Sequence, residues 1–177
     1  GRKVSEDEQF DVTGFVNDFY IRTTIPSVEY RFQQLAFQFG HTFKPGDRHT
    51  LSWGLDTRFD LLDGTLADPQ LLSKSRLNGA IRGLYIQDTW RLASQWTLNL
   101  GARLDYDAYG GFEPSGRVAL SYRPTPNAMF YGAVSRGFQM PAVGARHLSL
   151  PLFGGVAAFT SRRDVDAQEL FAYELGY

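Results

Sequence analysis

The chain has 177 residues, 43% hydrophobic and 21% charged, which is room for one domain or for a piece of something larger. Lys and Arg number 18 against 19 Asp and Glu, and a net charge of −1 argues against a nucleic-acid binder that needs a basic face. Zero Cys removes disulfide frameworks, thiol catalysis and the usual zinc modules, and fits a reducing cytosol or an outer-membrane protein without disulfides.

Aromatic residues reach 15%, with 14 Phe and 9 Tyr, in a chain of low mean hydropathy. That combination points to strands with one apolar face and one wet face. No apolar run approaches the roughly 18 residues of a spanning helix, which leaves a spanning barrel open because its strands carry a weaker signal. The chain opens Gly1-Arg2-Lys3-Val4 without Met or an apolar stretch, so it reads as mature, trimmed or excerpted.

In chain order, a first strand is read over Phe10 to Arg22. Leu35, Phe37, Phe39 and Phe43 then share one face, while Val28, Tyr30 and Phe32 fall on the opposite parity. A bulge near Gln33-Gln34 is expected to reconcile them. Leu51, Trp53, Leu55, Phe59 and Leu61 alternate with Ser52, Gly54, Asp56, Arg58 and Asp60, with Thr57 the one polar residue on the apolar side. Ile81 to Leu92 carries Leu84, Ile86, Trp90 and Leu92 on one side, interrupted by Asp88. Trp96 to Tyr106 gives the clearest strand: every even position is apolar and every odd position is not. Val118, Leu120 and Tyr122 oppose Arg117, Ser121 and Arg123, and Phe130 and Val134 oppose Tyr131 and Ser135. The final Phe171, Tyr173, Leu175 and Tyr177 alternate with Ala172, Glu174 and Gly176.

Two of these strands repeat each other. His49-Thr-Leu-Ser-Trp-Gly-Leu-Asp-Thr-Arg-Phe-Asp60 aligns with Trp96-Thr-Leu-Asn-Leu-Gly-Ala-Arg-Leu-Asp-Tyr-Asp107, which suits a unit of two strands, one short turn and one long loop. Lys44 to Arg48, Ala93 to Gln95 and Pro124 to Asn127 are short and rich in turn formers. Between them fall longer links at Leu62 to Leu77, Ala108 to Ser115 and Gln139 to Gln168. Strict alternation of short and long is the pattern of an outer-membrane barrel with periplasmic turns and extracellular loops. Trp90, Trp96, Tyr106 and Tyr122 at strand ends suit its interfacial girdles. The expected fold is an antiparallel transmembrane β-barrel segment, a meander of seven to eight strands.

Gly83-Leu-Tyr-Ile-Gln-Asp-Thr-Trp-Arg-Leu92, followed by the Trp96 to Tyr106 strand, resembles the barrel of TonB-dependent outer-membrane receptors. So do Pro114-Ser-Gly-Arg-Val-Ala-Leu-Ser-Tyr-Arg-Pro-Thr-Pro-Asn127, Tyr131 through Ser135-Arg-Gly-Phe138 with Pro141, and Tyr173-Glu-Leu-Gly-Tyr177. The resemblance implies a Gram-negative outer-membrane location, lipid around the barrel, and import of ferric siderophores or similar scarce solutes. It also implies a plug domain and a TonB system in the full-length protein; no plug is read within residues 1–177, which read as partial barrel throughout. The alternatives are a small eight-stranded structural or adhesive barrel, with Tyr177 ending an assembly signal, and a soluble lipocalin-like binding barrel.

No G-x-S-x-G, P-loop, H-E-x-x-H or dinucleotide fingerprint is present, so no catalytic residue, cofactor or metal site is expected, nor an enzyme. His41, His49 and His147 lack ligand spacing. Asp105-Tyr-Asp107 before Gly110-Gly111 echoes a calcium loop faintly, but Tyr109 stands at the third ligand position. Asp56, Arg58, Arg103, Asp105, Arg117 and Arg123 project opposite the hydrophobes, the face that lines a barrel lumen. In the long Gln139 to Gln168 segment, Arg146, His147, Phe153, Phe159, Arg162 and Arg163 are the candidates for catching an anionic ferric chelate through charge and stacking.

Overall fold

The computed structural model describes residues 1–24, 27–64, 76–108, 110–141, 150–151, 157–159 and 166–177. The strands are β1 (Arg2–Ser5), β2 (Glu8–Thr24), β3 (Ser27–Phe43), β4 (His49–Asp63), β5 (Arg76–Arg91), β6 (Trp96–Asp107), β7 (Gly111–Thr125), β8 (Ala128–Gln139), β9 (Leu150–Pro151), β10 (Ala157–Phe159) and β11 (Gln168–Gly176). Nine of them form one antiparallel sheet in the order β1 to β8 and then β11, while β9 and β10 make a separate two-stranded ribbon. The expected meander is therefore present, with one strand more than expected at its start. Among the described residues there is no helix.

Residues paired across an antiparallel ladder point to the same face, so register carries each face from strand to strand. One face collects Phe39, Leu55 and Leu84, then Leu104 and, further along, Leu98, Leu120 and Val118. The other collects Gln38, Asp56, Gly83 and Asp105. The apolar face is the exposed one: Leu84 and Ile86 are 57% and 56% accessible, whereas Asp60, Asp105 and Asp107 are buried. Ala36, Leu77 and Ala133, the buried hydrophobic residues among those described, all lie on the polar face, where they pair with Arg58, Leu62 and Ala119. This sheet has its greasy side out, the reverse of a soluble domain.

Aromatic pairs stitch the apolar face near the short turns. Trp96 stacks on Tyr122 at 4.4 Å, His49 on Trp90 at 5.2 Å, and Phe10 on His41 at 4.2 Å. Toward the other end Tyr106 meets Phe112 at 4.9 Å. Asp88, the interruption on the β5 apolar side, is held by His49, whose Nδ1 lies 2.8 Å from its Oδ2.

Three expectations change. No bulge occurs at Gln33-Gln34: β3 pairs with β2 and with β4 in unbroken register, so Phe32 sits on the polar face. There it joins Phe19, Leu62 and Leu77 in one cross-strand row, with the Phe19 and Phe32 rings 6.4 Å apart. On the apolar face at the same level stand Asp18, Arg31, Asp63 and Arg76, with Arg31 Nε donating to Asp18 Oδ1 at 2.8 Å. Both faces exchange character there because the strands run on past the apolar band. For the same reason the link read over Ala108 to Ser115 shrinks: β6 continues to Asp107 and β7 begins at Gly111. Strict alternation of link length also fails, since β2 ends at Thr24 and β3 begins at Ser27 at that same end.

Candidate functional site

The polar face is organised by carboxylates that bind cations two strands away. Arg103 on β6 donates from Nη1 to Asp56 Oδ2 at 2.6 Å and from Nη2 to Asp56 Oδ1 at 3.0 Å, although β5 runs between them. Its Nε donates to Asp105 Oδ2 at 2.7 Å. Asp56, Gly83 and Asp105 are directly opposite one another, so the guanidinium crosses β5 where Gly83 has no side chain. A Cβ built on Gly83 would fall 2.1 Å from Arg103 Nη2. One row on, Tyr85 spans β4 in the same manner, and a Cβ on Gly54 would lie 2.6 Å from its hydroxyl oxygen.

A second ladder runs from Asn17, whose Nδ2 donates to Gln34 Oε1 at 3.1 Å, to Gln34 Nε2, which donates to Asp60 Oδ1 at 2.9 Å. Arg58 Nε completes it by donating to Asp60 Oδ2 at 3.1 Å. Arg117 makes a bidentate pair with Glu174 at 2.8 and 3.1 Å, tying β7 to β11 across β8. Near the short turns, Thr42 and Ser52 hydroxyls share a hydrogen bond of 2.9 Å, and the Thr89 hydroxyl donates to Asn99 Oδ1 at 2.9 Å. A hollow of about 340 Å³ opens against Tyr85, Arg103, Ser115, Arg117 and Ser135. Among the described residues these charged side chains hold one another in fixed pairs along and across the strands.

The structure thus brings Asp56, Arg103 and Asp105 into one cluster and places Arg58 and Arg117 in separate pairs. Arg123 stands apart at the β7–β8 turn with Nη2 3.6 Å from Met129 Sδ. Sequence reasoning missed the partners Gln34, Asp60 and Glu174 as site residues, though Asp60 and Glu174 already lay on the polar parity. Tyr85 carried a signal too: an aromatic at a polar-side position, opposite a glycine. Arg146, His147, Phe153, Arg162 and Arg163 lie outside the described residues, and the backbone of Phe159 pairs with Leu150 in the small ribbon. His41 sits on the apolar face, accepting from Trp53 Nε1 at 3.0 Å and donating from Nε2 to Glu8 Oε1 at 3.0 Å. Among the described residues no three metal-ligating side chains converge.

Comparison with known proteins gives a consistent result. An iron-regulated outer membrane virulence protein of Vibrio cholerae serotype O1 is 31% identical over 97 residues, covering 55% of this chain and 15% of that protein. The siderophore receptor PirA of Acinetobacter baumannii superposes with a TM-score of 0.70 at 16% identity, over 96% of this chain and 29% of its own. PirA of Pseudomonas aeruginosa gives 0.64 at 15% identity, over 98% and 40% respectively. At these identities the two receptors speak to fold alone. The chain spans less than half the length of each of the three. The family profile described as TonB dependent receptor-like, beta-barrel matches residues 3–177, and the chain belongs to that family of outer-membrane barrels.

Proposed function

We propose that the chain is part of the barrel wall of a larger outer-membrane receptor that imports ferric siderophores or similar scarce solutes. Its apolar face meets lipid and its polar face, with Asp56, Arg58, Arg103, Asp105, Arg117 and Arg123, lines the lumen. In the full-length protein a plug domain fills that lumen and the TonB system supplies the energy. The observation that carries this reading is the family match across residues 3–177. The iron-regulated title of the Vibrio relative and the siderophore-receptor titles of the structural neighbours point the solute toward iron chelates. A wall of paired charges supports it, because such a surface stays hydrated without offering a reactive group. The link between Gln139 and Gln168, with Arg146, His147, Phe153, Phe159, Arg162 and Arg163, contacts the chelate.

The test is uptake of radio-iron by iron-starved cells with and without the gene for the full-length receptor, across a panel of ferric chelates. Loss of uptake for one chelate class, restored by the gene, is the expected result. Unchanged uptake across the whole panel contradicts the reading.

A further inference from the structure

Between β7 and β8 the ladder stops short of both strands. It holds from Tyr122 opposite Phe130 up to Gly116 opposite Arg136, yet β7 runs on along β6 to Gly111 and β8 runs on along β11 to Gln139. Glu113, Pro114 and Ser115 therefore stand across from Gly137, Phe138 and Gln139 without pairing. Pro114 accounts for the break. Arg123 N donates to Gln95 O at 2.8 Å, so the odd positions of β7 turn their N–H groups to β6 and the even positions turn theirs to β8. The rung after Gly116 would need an N–H on Pro114, which proline lacks. A Cβ built on Gly137 would meet nothing within 4 Å, so the seam has room on its β8 side.

Arg136 sits in this seam. By register it belongs to the apolar face, opposite Gly116 and Phe171, whereas Glu113 belongs to the polar face, opposite Asp105. Arg136 Nη2 nevertheless lies 2.6 Å from Glu169 Oε1 on β11 and 3.5 Å from Glu113 Oε2 on β7, reaching between the strands where the rung is missing. The grip is uneven. Nine register pairs join β8 to β11, while above Gly116 the Glu113 contact is the one ion pair across the seam among the described residues. Arg136 Nη1 is shielded and has no partner, so parting the strands would return an orphan donor to water. That gain and the missing rung bring a parted arrangement close in free energy to the closed one. Gly116 lies six residues along β7 from Tyr122, roughly 15 Å up a band about 25 Å tall, at about 3.3 Å per residue and a tilt near 40°. Unpaired backbone at that depth needs a water-filled space, and the hollow of about 340 Å³ on the polar face opens against Ser115, Gly116, Arg136 and Gly137.

We propose that the wall is hinged at Gly116 and Arg136, with Arg136 the clasp that holds the outer end of β8 to β7. When the clasp lets go of Glu113, the outer ends of β8 and β11 swing away together and the lumen mouth widens for the solute. The role in passage rests on the reading that the polar face lines the lumen of an importing barrel. A wall paired along its full height could not yield in this way, because each added rung would have to break with the rest.

The test is double electron–electron resonance on the full-length receptor in vesicles, with spin labels at Leu55→Cys and Phe138→Cys. These positions lie four strands apart in one row, which crosses the seam at Pro114. Arg136→Gln and Glu113→Gln should each lengthen that distance by about one strand spacing, roughly 5 Å, while Arg136→Lys should stay near the wild type. Labels at Leu51→Cys and Val134→Cys, in a row below Gly116, should keep one distance in every variant, which also checks that each is folded. Equal distances at the upper pair in wild type, Arg136→Gln and Glu113→Gln would overturn the clasp. A short bis-maleimide bridge between Ser115→Cys and Gly137→Cys then tests the role in passage. The bridged receptor should still bind the radio-iron chelate selected by the uptake panel, yet import it at least tenfold more slowly. Import at the unbridged rate would overturn that role and leave the import reading intact. Absence of chelate uptake by the wild type would remove the import reading and the role in passage together, while the spin labels still decide the clasp.

Discussion

Arg103 Nη1 lies 2.6 Å from Asp56 Oδ2, yet the two residues belong to β6 and β4, with the whole of β5 between them. The contact exists because Gly83 leaves the intervening strand bare at the crossing point. Asp56 and Arg103 are also equivalent positions of the internal repeat, each the eighth residue of its copy. The same position thus carries opposite charges on β4 and on β6, and the repeat unit joins to its next copy through them, across β5.

Gly83→Ala should break that crossing. The added Cβ would overlap Arg103 Nη2 and lie 2.6 Å from Asp105 Oδ1, forcing the guanidinium off Asp56. A loss of about 1–3 kcal/mol is expected, the usual cost of overpacking a filled site. Gly137→Ala, which has nothing within 4 Å of its Cβ, should be neutral. Urea unfolding of the full-length receptor in lipid vesicles measures both, and equal midpoints for the two variants would contradict the crossing.

Gly54→Ala should cost more than Gly83→Ala. Its Cβ would lie 2.3 Å from the Phe39 carbonyl oxygen as well as against the Tyr85 ring, and backbone cannot swing away as a side chain can. The same unfolding experiment ranks the two. Replacing Tyr85 by Ser in the Gly54→Ala background relieves only the ring clash, so partial recovery is expected.

A double-mutant cycle on Asp56→Asn and Arg103→Gln should give a coupling of about 1–2 kcal/mol. The value stays modest because the Arg103 side chain is 33% accessible and water screens it. Arg103→Gln alone should be the worst member of the cycle, since it strands Asp105, whose side chain is only 5% accessible. A coupling near zero would mean that Asp56 and Arg103 do not hold each other in the membrane.

Much of this architecture was legible in the alternation of Trp96 to Tyr106 and Leu51 to Leu61, because one environment faces each side along the whole apolar band. Legibility failed where that band ends. Phe19 and Phe32 turn to the polar face while Asp18 and Arg31 turn to the apolar one, so a parity count across Gln33-Gln34 looks like a slipped register. The polar partners were half legible. Parity places Asp60 and Glu174 on the right face, but the choice of partner depends on which glycine opens a path, and that needs register. β1 (four residues, Arg2 to Ser5) is too short for any period to show.

Arg162→Ala with Arg163→Ala in the full-length receptor should weaken capture of an anionic ferric chelate roughly tenfold, as expected for two charge-assisted contacts that are partly hydrated. Substitutions at Lys44 and Arg48, in a turn at the opposite end of the strands, should leave affinity unchanged. Equilibrium binding of the chelate class found in the uptake panel provides the check. Equal affinity in the arginine variant and the wild type removes both residues from the site.

The two-faced wall itself is tested most directly by spin labels placed singly along β6 of the full-length receptor in vesicles. Labels at Leu98 and Leu100 should be reached by oxygen dissolved in the bilayer, and labels at Thr97 and Asn99 by a water-soluble nickel chelate. This even–odd split is the result the account predicts. The reverse split, or equal access at all four positions, would contradict it.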